Sequence, residues 1–213
     1  TWSNASWPQT THGLFQHHGV GLQEGTCEAR LETYPVFQQL FGSLALLLSF
    51  DGVSLARPDC QERAFKKCVR IQKEKGENKL VADWLHTDQR KGKGKGGTDD
   101  GSQCLHHIQG AFALTRLGIA EQRTQLIVPK DGETPQSFRD RFLAKFPAKS
   151  PGKGADWVKH SDEERKWLVE NGDVLTPTLE AGEMLLWDSG TPHASIPGSG
   201  TPNPRISVFV SAV

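Results

Sequence analysis

The chain has 213 residues, with 25 Lys+Arg balanced by 25 Asp+Glu, so at zero formal charge it carries no global attraction to nucleic acid or to an anionic membrane. That length suits one globular domain over 1–213, and the longest strongly apolar run, around 44–50, is far too short to span a bilayer. Cys27, Cys60, Cys68 and Cys104 form neither a Cys-x-x-Cys pair nor a zinc-ribbon spacing, which favours ordinary thiols and a cytoplasmic or other intracellular compartment.

No charged-then-apolar signal segment opens the chain, and a start at Thr1 rather than Met points to upstream residues that were removed or left out. Asn4-Ala5-Ser6 fits the glycosylation acceptor pattern, which matters only in a secreted chain. From there, Val36 to Leu48 reads as a helix with an apolar exit. Asp59 to Lys75, after Pro58, reads as an amphipathic helix. Both are expected to buttress a sheet.

Asp83-Trp84-Leu85-His86-Thr87-Asp88-Gln89 reads as a strand in which Trp84, His86 and Asp88 line one side, because residues i and i+2 project from the same face. His86 and Asp88 are then placed to grip one ion, although a His-x-Asp pair recurs by chance and needs support from elsewhere. The basic, glycine-rich run Arg90-Lys91-Gly92-Lys93-Gly94-Lys95-Gly96-Gly97 follows, predicting a flexible loop over 90–101. No Gly-Lys-Ser/Thr opens a helix after it, so it is not a phosphate-binding P-loop. A solvated loop is the favoured reading; a flap that attracts an anionic substrate is the other.

His106 to Thr115 alternates, with His107, Gln109, Ala111, Ala113 and Thr115 on one face, and its small residues leave room for a ligand. Thr134 to Phe146 and Ser161 to Asn171 read as helices of an insertion over 134–172. The second opens with a capping box, Ser161-Asp162-Glu163-Glu164, and closes at Gly172. Lying between core strands, this insertion is placed either to wall or lid a site or to serve as plain structure. Gly182 to Asp188 is an apolar strand, the turn 189–192 follows, and His193 emerges where the turn ends. In the last strand, Asn203 to Val213, Arg205, Ser207 and Phe209 share one face.

Two imidazoles and one carboxylate suit non-haem Fe(II) and leave coordination positions open, so His86, Asp88 and His193 are the candidate ligands. Arg205 sits in a mostly apolar strand and requires an anionic partner. Its planar fork matches a carboxylate, with the Ser207 hydroxyl adding a bond, and the distal carboxylate of 2-oxoglutarate fits. The adjacent pairs His106-His107 and His17-His18 point to opposite faces and cannot share an ion; His12 and His17 are taken as turn residues.

With His86, Asp88, His193 and Arg205 as its motif residues, the chain resembles the phytanoyl-CoA dioxygenase-like branch of the Fe(II)/2-oxoglutarate-dependent oxygenases. Similarity extends to 7–13, to Ser49-Phe50-Asp51-Gly52, to Ile108-Gln109-Gly110, to 128–132 and to Gly182 through Asp188. It departs from the family where a usual Pro-Gly-Ser-His reads Pro129-Lys130-Asp131-Gly132. The resemblance implies a mainly β fold with flanking helices, a double-stranded β-helix (jelly-roll or cupin-like) barrel. It implies Fe(II) and 2-oxoglutarate as cofactors, ascorbate as a supporting reductant, and O2 and a small organic molecule as substrates. The implied reaction is hydroxylation with release of succinate and CO2; desaturation or cyclisation is not separated from it by sequence. Gln109 joins Arg205 and Ser207 as a cosubstrate contact, and Trp84, Thr115 and Trp187 are candidate substrate contacts, with core packing the competing role for the tryptophans. Two other readings stay open: a cupin-like metal-binding protein without turnover, and an oxygenase that reaches nucleic acid through the basic loop.

Overall fold

In chain order the strands are β1 (Leu14–Phe15), β2 (Val53–Ala56), β3 (Cys68–Gln72), β4 (Asn78–Ala82), β5 (His86–Asp88), β6 (Ile108–Ala113), β7 (Arg123–Pro129), β8 (Trp157–Lys159), β9 (Gly172–Leu175), β10 (Met184–Asp188), β11 (His193–Ile196) and β12 (Arg205–Ala212). Three helices accompany them, α1 (Glu24–Phe41), α2 (Pro135–Lys145) and α3 (Asp162–Asn171). This computed structural model describes residues 14–16, 19–56, 68–72, 78–88, 107–119, 123–147, 157–196 and 204–213. The expectations for 7–13, His12, His17, His18, His106 and the basic loop 90–101 lie outside them.

The strands form two five-stranded sheets, ordered β1-β2-β12-β6-β10 and β8-β5-β11-β7-β9, and a separate β3-β4 pair. All of the named pairings are antiparallel. The two sheets meet through side chains that alternation sends inward. Ala111, Trp187, Leu185 and Phe209 of the first sheet cluster with Leu126 and Val128 of the second. The small inward residues Ala111 and Ala113 are therefore fully covered by packing instead of lining open space.

Each sheet has its outer face covered by helix. Phe37 of α1 is buried against Val210 and Ala212. Helix α1 begins well before the expected Val36 and runs through Pro35. Proline weakens a helix interior, but the apolar contact of Phe37 decides the conformation here. The helix ends at Gly42, whose φ of 63° is left-handed. Behind it, Arg30 donates to the carbonyls of Gly21 and Asp51, while the Ser211 hydroxyl donates to the Asp51 carboxylate at 3.0 Å. The Ser49 to Gly52 motif thus fastens α1 to β12.

The helix expected over 59–75 is corrected in its described part: Cys68–Gln72 is a strand, paired residue for residue with β4. Both expected helices of 134–172 form, Thr134 capping α2 and the full capping box of Ser161 and Glu164 opening α3. The segment also contains β8, which extends the second sheet by pairing with β5. Phe138 and Phe142 of α2 and Leu168 and Val169 of α3 pack with Trp84, Leu85, Ile127, Ala194 and Ile196. These helices buttress the outer face of the second sheet. Helix α3 closes at Gly172 as expected, and with an extended backbone that residue opens β9. Glycine is required because an added Cβ would lie 2.7 Å from the Val128 carbonyl oxygen and 3.0 Å from that of Leu168.

Candidate metal centre

His193 of β11 lies directly across from His86 of β5, so their side chains share a face, and Asp88 shares it two residues on. The three converge. Nε2 of His86 is 3.6 Å from Oδ1 of Asp88, and Nε2 of His193 is 3.6 Å from its Oδ2. One donor atom from each lies within 4.8 Å of the others, a set able to hold a metal ion.

The tautomers suit that task. Nδ1 of His86 is 3.1 Å from the Trp84 carbonyl oxygen, and Nδ1 of His193 is 2.9 Å from that of Thr191. A carbonyl only accepts, so each Nδ1 carries the proton and each Nε2 presents its lone pair inward. Burial lowers the pKa of His193, opposed by the Asp88 charge and the Thr191 carbonyl, which keeps the ring neutral and ready to ligate.

Gln109 of β6 crosses from the opposite sheet and donates to Asp88 Oδ2 at 2.7 Å, while its own Oε1 accepts from Trp187 Nε1 at 2.7 Å. Having only a donor, the indole fixes which way the amide points. Gln109 therefore reaches the candidate ligands as an orienting group for the carboxylate, where the sequence suggested a cosubstrate contact. Gln109→Leu is expected to weaken Co(II) binding about 10- to 100-fold with little change in fold, read by anaerobic titration of the visible absorbance. Unaltered affinity would show that the carboxylate needs no guide.

Trp84 stacks on His86, centroids 4.7 Å apart and planes 19° apart, and donates Nε1 to the Ser195 carbonyl at 3.1 Å. Trp187 lies 5.2 Å from the His193 ring. Both are buried and brace the imidazoles. From the other side of β5, the Thr87 hydroxyl meets His160 Nε2 at 2.8 Å, and buried Arg165 of α3 donates to the Asp83 carbonyl at 2.6 Å. Thr115 is not brought to this cluster: its hydroxyl accepts from Ile206 N at 2.9 Å and donates to the Pro204 carbonyl at 3.1 Å.

Arg205 is 1% exposed. Nη1 donates to Ser195 Oγ and Nη2 to Ser207 Oγ, each at 3.4 Å, and Nε has no hydrogen-bond partner among the described residues. Among the described residues no carboxylate pairs with it, and burial pushes its pKa down to about 9, still cationic at neutral pH. Ser195 was missed from the sequence, although its position two residues after His193 on one strand face was a readable signal. Trp157 was also missed: it sits opposite Asp88, its ring 5.4 Å from that of His86. No strand was expected there. A cavity of about 200 Å³ lies elsewhere, lined among others by Thr87, Ile127, Phe138, Phe142, Leu168 and Pro192, and by none of the three candidate ligands.

No protein-family model matches the chain, and no curated protein matches it in sequence. Solved structures that resemble it include the epimerase SnoN in complex with Fe3+, alpha ketoglutarate and nogalamycin RO, at 17% identity and a TM-score of 0.48, over 92% of this chain and 61% of that one. Another is the non-heme monooxygenase ThoJ in its apo form, at 15% identity and a TM-score of 0.46, over 95% and 59%. A third is AviO1 from Streptomyces viridochromogenes Tue57, at 11% identity and a TM-score of 0.44, over 99% and 76%. The chain thus spans about three fifths of the length of the first two. At this level of likeness, function has to be read from the site's own side chains.

Proposed function

We propose that the chain is an Fe(II)- and 2-oxoglutarate-dependent dioxygenase that hydroxylates a small organic substrate with O2, releasing succinate and CO2. The observation that carries this is Arg205, a buried cation with no acidic partner among the described residues, held beside the same strand as His193. Ser195 and His193 share a face of β11, two residues or roughly 6–7 Å apart. That separation matches a five-carbon dicarboxylate with one end at the metal and the other on the guanidinium.

The donor set fits iron: two neutral imidazoles and a carboxylate on one side, at mutual distances one ion can bridge. His86, Asp88 and His193 would hold it, and when bound with 2-oxoglutarate and O2 it supplies the oxidation of a C–H bond. The protein's own part is placement. Arg205, with Ser195 and Ser207, orients the far carboxylate; Gln109 keeps Asp88 turned inward; Trp84 and Trp187 hold the imidazole planes.

The strand order also supports the double-stranded β-helix. From β5 onward, β6, β10 and β12 join the first sheet while β5, β7, β8, β9 and β11 join the second; with β8 set aside as an added edge strand, this order is the one that two interleaved Greek keys would give. Membership of the phytanoyl-CoA dioxygenase-like branch is part of the same proposal and rests on the four motif residues. Anaerobically iron-loaded protein should take up oxygen and form succinate only when 2-oxoglutarate is present, faster when a substrate is added. Metal binding without any 2-oxoglutarate-dependent oxygen uptake would favour the non-catalytic cupin-like reading.

A further inference from the structure

We propose that Trp157 is the substrate platform of this site, the surface on which a flat, ring-bearing organic substrate stacks beside the metal. The inference rests on reading the His86, Asp88 and His193 cluster as an oxygenase centre, and names its substrate class.

Three indoles approach the two imidazoles. Trp84 and Trp187 are 8% and 7% exposed, each with its Nε1 donated to a protein oxygen, so neither has surface left for a ligand. Trp157 is 43% exposed. Its place is nevertheless fixed: β8 pairs with β5 so that Trp157 lies across from Asp88 and its side chain shares that residue's face. Its ring meets that of His86 edge to face, 5.4 Å between centroids and 73° between planes. Val158, on the opposite face of β8, is buried.

A residue pointing to the face that carries the ligands would ordinarily be covered by the facing sheet. Trp157 is not covered: β8 is the edge strand of its sheet, so the indole stands exposed at the margin of the face that carries the candidate ligands. Lys159, the next residue on that face, lies 3.5 Å from Asp83, so of the described residues of β8 the indole is the apolar group on that face. Isolated exposed apolar residues need no explanation, but an indole in ring contact with a candidate metal ligand does. Aromatic side chains favour flat partners over flexible chains, because stacking adds to area burial and costs little conformational freedom. The reacting C–H bond would then lie on or next to the stacked ring.

The test uses the full chain loaded with Zn(II), which is redox-inert, and two neutral probes followed by ligand-observed NMR, 2-naphthol and 1-octanol. Wild-type protein is expected to bind 2-naphthol at least five-fold more tightly than 1-octanol. Trp157→Ala should lose that margin, and Trp157→Phe should keep most of it. Trp157→Leu, which retains apolar bulk without a ring, replaces the alanine variant if the latter fails to fold. All variants should bind 2-oxoglutarate as the wild type does. No ring preference in the wild type, or an unchanged preference without the indole, overturns the platform while leaving the oxygenase reading intact. Failure of 2-oxoglutarate to bind the wild type overturns the oxygenase reading, and the platform with it.

Discussion

Asp88→Ala should abolish both high-affinity iron binding and succinate formation. The carboxylate stands between the two imidazoles, each Nε2 3.6 Å from one of its oxygens, and among the described residues it is the acidic member of the group able to hold an ion. Its removal leaves two neutral nitrogens for a divalent cation and deprives Gln109 of its acceptor. Altering a residue that merely orients a ligand costs about 10- to 100-fold in metal affinity, so losing the ligand itself should exceed that range. Anaerobic Fe(II) titration reads the first effect and succinate quantification the second. Normal succinate formation by this variant, or by His86→Ala, would show that the cluster is a hydrogen-bonded structural group.

Arg205→Ala should leave iron binding intact and raise the 2-oxoglutarate requirement steeply. Truncating one member of a buried charge pair costs about 2–5 kcal/mol, equivalent to roughly 30- to several thousand-fold in affinity. Arg205→Lys should recover only part of this, because an ammonium lacks the planar fork that grips two oxygens. The readouts are the 2-oxoglutarate dissociation constant on Co(II)-loaded protein and the melting temperature without ligand. Burial of an unpaired guanidinium is unfavourable, so losing it need not destabilise the ligand-free chain despite the cavity left behind. A small change in melting temperature beside a large loss of affinity identifies a binding residue; equal affinity in both proteins would remove the cosubstrate from this position.

The site was legible because its parts obey the period of two of a strand. His86 with Asp88, and Arg205 with Ser207, are each two residues apart, and the structure turns each pair to one face. The same period carried His193 to Ser195 and was not followed. Trp157 was hidden for another reason: Trp157–Lys159 is only a three-residue strand, and it exists because β5 offers an edge to pair with. Cys68–Gln72 shows the same ambiguity from the other side. Cys-Val-Arg-Ile-Gln fits either a helix face or an alternating strand, and pairing with the next strand along the chain, Asn78–Ala82, decides. The sequence places helix α1 too late in the chain, at Val36 instead of Glu24, and the helix runs through Pro35 because the packing of Phe37 outweighs a local breaker. Gly172 does close α3, as the sequence suggests, and the close passage of two carbonyl oxygens is a second constraint that the sequence did not show.

The carbonyls of Trp84 and Thr191 each belong to the residue two positions before the histidine they hold. Each imidazole is therefore aimed by its own stretch of backbone. Nothing in those two contacts distinguishes one first-row divalent ion from another. Discrimination among them would fall to what the surroundings supply, with copper, nickel and zinc as competitors wherever iron is scarce.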